Sequence, residues 1–351
     1  MSRFFSNELK NLVPYTPGEQ LEGNYIKLNT NESPFPPSPN VLKSITHNEL
    51  NRLNLYSEPT CSALVNSIAD FYGVDNRNVA VGNGSDEILA FSFRAFGEHG
   101  FICPSITYGF YPVFADFFSI ELDIAPMKKD LSIDCNALIE SKRNIIIANP
   151  NAQTGTYLDI KEIEKIVSSN KERLVIVDEA YIDFGGKSAV CLINKYDNIL
   201  VVQTFSKSRN LAGGRIGFAI GCEDLIKDIN TMKFSFNPYN VNRLSILAGA
   251  ESMKDKKYFE ECTNEIIKTR EYFKSELKAL NFEYINSLSN FVLTKHPEKS
   301  GKELYSELKE NGFLVRYLGG EISDYIRITI GTKEQMNKLL DCLKTILKNY
   351  L

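Results

Sequence analysis

The stretch Gln203-Thr204-Phe205-Ser206-Lys207-Ser208-Arg209-Asn210-Leu211-Ala212-Gly213-Gly214-Arg215-Ile216-Gly217-Phe218 follows the apolar run Asn198-Ile199-Leu200-Val201-Val202. Lys207 therefore falls just beyond the end of an expected strand. Open parallel sheets place their chemistry at the carboxyl ends of strands. A lysine held there in partly apolar surroundings has its charged form disfavoured and becomes a usable amine nucleophile. Such an amine forms a Schiff base with an aldehyde, and pyridoxal phosphate is the commonest cofactor partner of that kind. Arg215, farther along the same loop, is placed to neutralise a phosphate to which Ser206 also donates. A solvated basic loop would explain the stretch by itself, so the rest of the chain decides.

The 351 residues suit one large domain plus a smaller one, and 43% hydrophobic residues allow a substantial core. A formal net charge of −4 gives nucleic-acid binding no electrostatic support. No apolar run reaches membrane-spanning length. The opening Met1-Ser2-Arg3-Phe4-Phe5-Ser6-Asn7-Glu8 holds too short an apolar patch for a secretory signal. The 7 cysteines are scattered, without ligand spacing to a histidine, which fits free thiols in a reducing cytoplasm rather than disulfides or zinc. His47, His99 and His296 lie in no motif.

Prolines mark residues 1–40 as an irregular arm, with Phe4, Phe5, Tyr15 and Phe35 as anchors for docking. Asn51 to Pro59, including Tyr56, reads as a loop, and 61–72 as an amphipathic helix. A strand over 79–81 runs into the turn Gly82-Asn83-Gly84-Ser85-Asp86-Glu87 and a helix over 88–96. A glycine turn opening a helix aims backbone N–H groups at an anion, although Ser85 or Asp86 as an ordinary N-cap would also explain it. A strand over 101–103 precedes Thr107-Tyr108-Gly109, and Tyr108 offers a flat face to an aromatic ring or to the core. Strands over 120–124 and 144–148 follow, the latter entering the turn Asn149-Pro150-Asn151-Ala152-Gln153-Thr154-Gly155. A helix over 159–169 and a buried strand over 174–177 then deliver Asp178-Glu179-Ala180-Tyr181. A carboxylate at the tip of an apolar strand needs a partner, and a pyridine nitrogen or a helix N-terminus would each supply one.

Apolar strands alternating with helices predict an α/β fold, a mostly parallel sheet with helices on both faces. One long helical stretch over roughly 240–280 is expected to lead away from it. The remainder reads as a smaller α+β domain with strands near 282–285, 291–295, 314–316 and 326–330. The expected division is an arm (1–40), a large domain (41–245) and a small C-terminal domain (246–351). Arg316 and Arg327 stand in strand-like apolar runs and need anionic partners, such as a carboxylate or a phosphate.

Taken together, Gly82–Glu87, Thr107-Tyr108-Gly109, Asn149–Gly155, Asp178–Tyr181, Ser206-Lys207 and Arg215 resemble the fold-type-I pyridoxal-phosphate aminotransferases, and among them most closely the histidinol-phosphate aminotransferase family. The resemblance runs from Asn29-Thr30-Asn31-Glu32 to Arg327-Ile328-Thr329-Ile330-Gly331. It implies pyridoxal 5'-phosphate on Lys207, which also shuttles the proton, with Asp178 at the pyridine nitrogen and Tyr181 at the ring oxygen. It places Tyr108 on the ring, and Gly84, Ser85, Asp86, Thr204, Ser206 and Arg215 around the phosphate. Arg327 takes the carboxylate of glutamate, or a phosphate in the other half-reaction, and Arg316 a distal phosphate, while Tyr15 and Asn29 help close the pocket. Tyr56 matches a tyrosine that crosses a homodimer interface to the neighbour's cofactor phosphate. The implied substrates are glutamate with 2-oxoglutarate, and a phosphorylated amino alcohol.

One departure stands out. The family's Asn-Asn-Pro-Thr-Gly appears here as Asn151-Ala152-Gln153-Thr154-Gly155, so Ala152 replaces the asparagine that reaches the ring oxygen. Either Asn151 supplies that amide from one position earlier, or Tyr181 carries the contact alone. Other aminotransferases and threonine-phosphate decarboxylase share the scaffold, because the bond broken at Cα depends on how the substrate is held. A non-catalytic pyridoxal-phosphate protein has no need of Lys207, Asp178 and Arg327 together. A nucleotide-binding enzyme lacks its loop, since no Walker lysine follows Gly82–Glu87.

Overall fold

The apolar runs near 145, 176 and 200 are buried at every position, as central strands covered on both faces must be. They are part of a computed structural model that describes residues 2–348. The arm supplies β1 (Ile26–Lys27) and α1 (Pro39–Ser44), and α2 (His47–Leu50) and α3 (Ser62–Tyr72) follow. Strands and helices then alternate as β2 (Val79–Asn83), α4 (Ser85–Phe96), β3 (Phe101–Pro104), α5 (Phe110–Phe118), β4 (Leu122–Ala125) and α6 (Cys135–Glu140). After these come β5 (Asn144–Ala148), α7 (Ile160–Ser169), β6 (Val175–Asp178), β7 (Ile199–Thr204) and β8 (Ile216–Gly221). The large sheet has the order β2-β8-β7-β6-β5-β3-β4, with β8 antiparallel to both neighbours and the other pairings parallel. The expected mostly parallel α/β sheet is therefore present.

Alternate residues of the central strands serve two cores. Ile146, Ile176, Leu200 and Val202 pack with Leu89 and Phe93 of α4, in a core that continues to Phe273 and Phe291. Ile145, Ile147, Val175, Val177 and Val201 pack on the other face with Leu64 and Ile68 of α3 and Ile163 and Ile166 of α7.

The chain continues through α8 (Glu223–Phe236), α9 (Arg243–Lys254), α10 (Lys256–Ala279), β9 (Glu283–Tyr284), β10 (Phe291–Lys295) and α11 (Gly301–Glu310). It closes with β11 (Phe313–Leu314), β12 (Arg316–Tyr317), β13 (Ile326–Thr329) and α12 (Lys333–Ile346). The single helix expected over 240–280 is thus two helices. Asp255 leaves helical geometry (φ −84°, ψ 63°), its N–H closing α9 on Glu251 and its carboxylate accepting from the Tyr258 N–H that opens α10. The two helices serve different layers: α9 packs on α1 and α3, and α10 on α12 and β10. The strand expected over 314–316 is also divided, because Leu314 pairs with Lys27 of the arm while Arg316 pairs with Arg327 in the antiparallel sheet β12-β13-β10-β9.

The arm docks through β1, with Tyr15 stacked on Phe110 and Phe35 packed on the core, but Phe4 and Phe5, expected as anchors, are exposed at 81% and 40%. Leu28 N–H donates to the Leu314 carbonyl at 2.8 Å, and Thr329 N–H to the Leu28 carbonyl at 2.9 Å. Capping is regular in most helices: Ser300 with Glu303 and Thr332 with Gln335 form capping boxes, and Asp159 caps α7. The start of α4 differs. Gly84 (φ 79°) turns the chain there with no side-chain cap, leaving the first-turn N–H groups directed outward from the sheet edge.

Gly217 of β8 lies directly beneath that turn, and a methyl group on it would fall on the Ser85 nitrogen and the Gly84 carbonyl carbon. Gly217→Ala is expected to cost about 2–3 kcal/mol, seen as a lower urea midpoint at an unchanged slope. An unaltered midpoint would show that α4 is not seated on this strand as described.

Candidate active site

The carboxyl ends of β5, β6 and β7, together with the first turn of α4, surround a cavity of about 340 Å³. Ser85, Asp86, Tyr108, Asp178, Tyr181, Thr204, Ser206, Lys207 and Arg215 all line it. An adjoining outer cavity of about 410 Å³ shares Tyr108, Tyr181 and Lys207 and extends to Tyr15, Asn29, Arg316 and Arg327. The residues singled out in sequence are thus brought together, with Gly84 turning the chain behind the wall beside Arg215 and two exceptions described below.

Lys207 leaves β7 through Phe205 and Ser206, with Phe205 wholly buried beneath it. Its Nζ donates to the Thr30 carbonyl at 3.1 Å and lies 5.8 Å from the centre of the Tyr181 ring. Burial, with the Arg327 charge adding to it, pulls the amine down to about 8. Asp178 ends β6 at 4% exposure, and burial pushes its carboxyl up to about 6. Tyr111 O–H at 2.9 Å and the Ala180 N–H at 3.2 Å oppose that rise. The aspartate is therefore both a turn acceptor and a cavity wall, and the two readings of it are compatible.

The α4 end of the cavity is a cradle of donors. Ser85 and Asp86 open the helix without a side-chain cap, and Thr204 and Ser206 face them with hydroxyls 3.0 Å apart. Arg215, in left-handed backbone (φ 48°), reaches Asp86 at 3.2 Å. Asp86 also accepts from Tyr108 O–H at 2.7 Å, so the side chain of Asp86 is occupied and its backbone N–H is not. A helix N-terminus, two hydroxyls and a guanidinium around one space could hold a phosphate.

Arg327 rises from β13 over the Phe291 ring, with its guanidinium carbon 5.0 Å from the ring centre. It donates to the carbonyls of Ala152 at 2.9 Å and Asn29 at 3.4 Å, and its buried Nε has no partner. Burial lowers its pKa, and no carboxylate pairs with it among the described residues. Arg316 holds the arm over the outer cavity, donating to the carbonyls of Thr16 at 2.9 Å and Pro17 at 3.1 Å. Tyr15 closes the same side, stacked on Phe110 with centroids 4.3 Å apart.

Asn151 is the first exception. Its Nδ2 donates to the Ile106 carbonyl at 2.7 Å, and its Oδ1 accepts from the N–H groups of Gln153 and Thr154. The side chain is consumed in shaping its own turn and lines neither cavity, so it does not replace the amide missing at Ala152. Tyr56 is the second. It is 79% exposed, stacked on Tyr239 at the surface, and lines neither cavity of its own chain. Sequence reasoning missed Tyr111 on Asp178, Thr30 on Lys207, Glu32 in the inner wall and Asn31 on Tyr181. The only signal for the last three was their place in the quoted arm segment.

The donor set fits pyridoxal 5'-phosphate: an anion cradle at one end, a depressed lysine amine beside Tyr181, and a buried aspartate in the wall. Residues 23–343 match the model of the family Aminotransferase class I and II. A histidinol-phosphate aminotransferase of Brachyspira hyodysenteriae is 49% identical over 99% of this chain and 100% of its own length. One from Clostridium botulinum is 46% identical over 99% of each chain. The crystal structure of histidinol-phosphate aminotransferase from Sinorhizobium meliloti, in complex with pyridoxal-5'-phosphate, shares the fold with a TM-score of 0.91 at 22% identity, over 100% of this chain and 99% of that one. This chain belongs to the class I and II aminotransferases and, among them, to the histidinol-phosphate aminotransferase family.

Proposed function

We propose that this chain moves an amino group between L-glutamate and imidazole-acetol phosphate, giving 2-oxoglutarate and L-histidinol phosphate, a step of histidine biosynthesis. The observation that carries the reading is a pair of half-buried cations, Lys207 and Arg327, on the outer cavity, with Lys207 also lining the inner cavity that holds the donor cradle at α4. The choice of the phosphorylated substrate is supported by relatives of that name at 49% and 46% identity.

Pyridoxal 5'-phosphate bound in the inner cavity supplies a carrier for the amino group and a sink for the electrons left at Cα. The chain's own groups do the rest. Lys207 Nζ would hold the aldehyde carbon and, once released, would carry the proton taken from the substrate Cα. Asp178 would keep the ring nitrogen protonated, and Tyr111 donates to Asp178 in the cavity wall. Ser85, Asp86, Ser206 and Arg215 hold the phosphate, with Thr204 orienting Ser206, and Tyr108 walls the ring. Arg327 binds the substrate carboxylate as a fork. Arg316, in the outer cavity with Tyr15 and Asn29, meets the distal phosphate.

Tyr56, stacked on the exposed Tyr239, and the exposed Leu53 and Leu55 beside it in sequence support a homodimer in which each copy lends Tyr56 to the other's phosphate site. Among the described residues no helix is long and apolar enough to cross a membrane, and the proposed location is the cytoplasm. We propose the division into an arm (1–40), a large domain (41–245) and a small C-terminal domain (246–351), with the helical stretch after the junction breaking at Asp255, where α9 gives way to α10.

The decisive experiment is a single-turnover spectrum of the cofactor-loaded enzyme with L-histidinol phosphate, L-phenylalanine and L-threonine phosphate in turn. Conversion to the amino form of the cofactor by histidinol phosphate alone is expected. Conversion by phenylalanine would reassign Arg316, and carbon dioxide from threonine phosphate would overturn the reaction.

Lys207→Ala is expected to retain cofactor through the phosphate cradle, by equilibrium dialysis, and to lose turnover by about 10³-fold or more. Normal turnover by that variant would sink the assignment.

Capture of pyridoxal 5'-phosphate by the cofactor-free protein needs the neutral amine. With Lys207 lowered to about 8, the rate should rise about tenfold per pH unit below that value and level off above it. A rate still climbing at pH 10 would mean an ordinary, solvated lysine.

A further inference from the structure

Asn31 sits where the arm, the small sheet and the outer cavity meet, between Thr30 and Glu32, which line the inner cavity. It is 1% exposed, and its backbone is left-handed (φ 55°), a conformation asparagine tolerates better than most residues. Its N–H donates to Thr329 Oγ1 at 3.0 Å, and its carbonyl accepts from Asn290 Nδ2 at 2.9 Å. Thr329 Oγ1, already an acceptor, gives its own proton to Asn31 Oδ1 at 3.0 Å. That fixes the amide. Nδ2 must face Tyr181, and it donates to the phenolic oxygen at 3.0 Å. A hydroxyl that accepts from an amide keeps its own proton for another partner. Among the described residues no protein group accepts the Tyr181 proton, and Tyr181 lines both cavities.

We infer that Asn31 is a positioning residue that commits Tyr181 to donate its proton to the ring oxygen of the ligand on Lys207. The inference rests on the inner cavity being a pyridoxal 5'-phosphate site. Through Tyr181 it compensates for Ala152, which stands where the related motif carries an asparagine and offers the cavity only a methyl group. Donors in series strengthen one another, so the run Thr329, Asn31, Tyr181 makes a better donor than tyrosine alone. Burial raises the Tyr181 pKa, while the Arg327 charge and the Asn31 bond act in the opposite direction. Thr329 and Arg327 both lie on β13, so the strand that presents the guanidinium also sets the amide.

The test uses two variants of the holoenzyme and the pH midpoint of its visible absorption, which reports the proton on the Lys207 nitrogen attached to the ring. A donor on the neighbouring ring oxygen draws electron density from that nitrogen and lets its proton leave at lower pH. Asn31→Gly keeps the left-handed backbone and deletes the amide. Asn31→Asp keeps the shape and the Thr329 bond but replaces a donor by an acceptor, so Tyr181 turns its proton away from the ligand. The midpoint is expected to rise by about half a pH unit in Asn31→Gly and further in Asn31→Asp. Adding Ala152→Asn to Asn31→Gly should bring it back, because an amide then reaches the ring oxygen directly. A purely structural role would loosen cofactor binding and leave the midpoint where it was. An unchanged midpoint in both variants, with a normal titration in the wild type, overturns the inference and leaves the cofactor reading intact. A wild-type protein that develops no such band with pyridoxal 5'-phosphate overturns both.

Discussion

Two half-buried cations, Lys207 on both cavities and Arg327 on the outer one, with no ion pair to a carboxylate on either among the described residues, are the constraint on which the site depends. Lys207 Nζ has the Thr30 carbonyl, and Arg327 has the carbonyls of Ala152 and Asn29 and a buried Nε without a partner. Burying unpaired charge is costly. Lysine relieves the cost by losing its proton more easily, and its pKa falls to about 8. Arginine has no such exit and remains a cation. Two buried arginines elsewhere are completed within the fold: Arg270 by the carbonyls of Phe184 and Ser289 and by Glu271, and Arg209 between the rings of Phe71 and Phe259. Arg173, like Arg327, keeps a buried Nε without a partner, but Arg327 lines the outer cavity, where the proposed substrate carboxylate would complete it.

The sheet supplies the rigidity that such an arrangement needs. Asp178 and Glu179 are adjacent, both buried and both raised by burial, the first to about 6 and the second to about 8. They point to opposite sides and serve opposite ends. Glu179 accepts from Ser188, the Ala189 N–H and Gln203, locking the segment after β6 to β7. Asp178, held by Tyr111 and the Ala180 N–H, is left facing the cavity. The neighbour's fixed network is what lets Asp178 be aimed.

What the sequence made legible was local. Lys207 and Asp178 each end an apolar run, so strand polarity alone places them on the same sheet edge. Gly84 and Arg215 lie in turns whose composition marks them. Contacts between distant segments were not legible: Tyr111 with Asp178, Asn31 with Tyr181 and Thr30 with Lys207 are 67, 150 and 177 positions apart. Asn151 was misread because an asparagine in a turn has its own backbone as the nearest partner, and it used it. The break at Asp255 was invisible for a different reason. Lys254, Asp255 and Lys256 form no obvious stop, and the helix ends there because the chain passes from one layer to another.

The arm is the part whose importance composition least suggested. Leu28 is hydrogen-bonded to Leu314 and Thr329 of the small sheets, and Asn31 to Thr329 and Asn290. On its other side the same segment gives Lys207 its carbonyl and Tyr181 its amide. Residues 28–31 therefore tie the strand that carries Arg327 to the two side chains nearest the proposed chemistry. A shift of β13 cannot leave Thr329 behind, and moving Thr329 moves the amide that sets the Tyr181 proton. The proposed carboxylate site at Arg327 and the amine of Lys207 are thus joined by hydrogen bonds through a few residues of an irregular segment. Two cavities lined in common by Tyr181 and Lys207 follow from that connection as much as from the sheet.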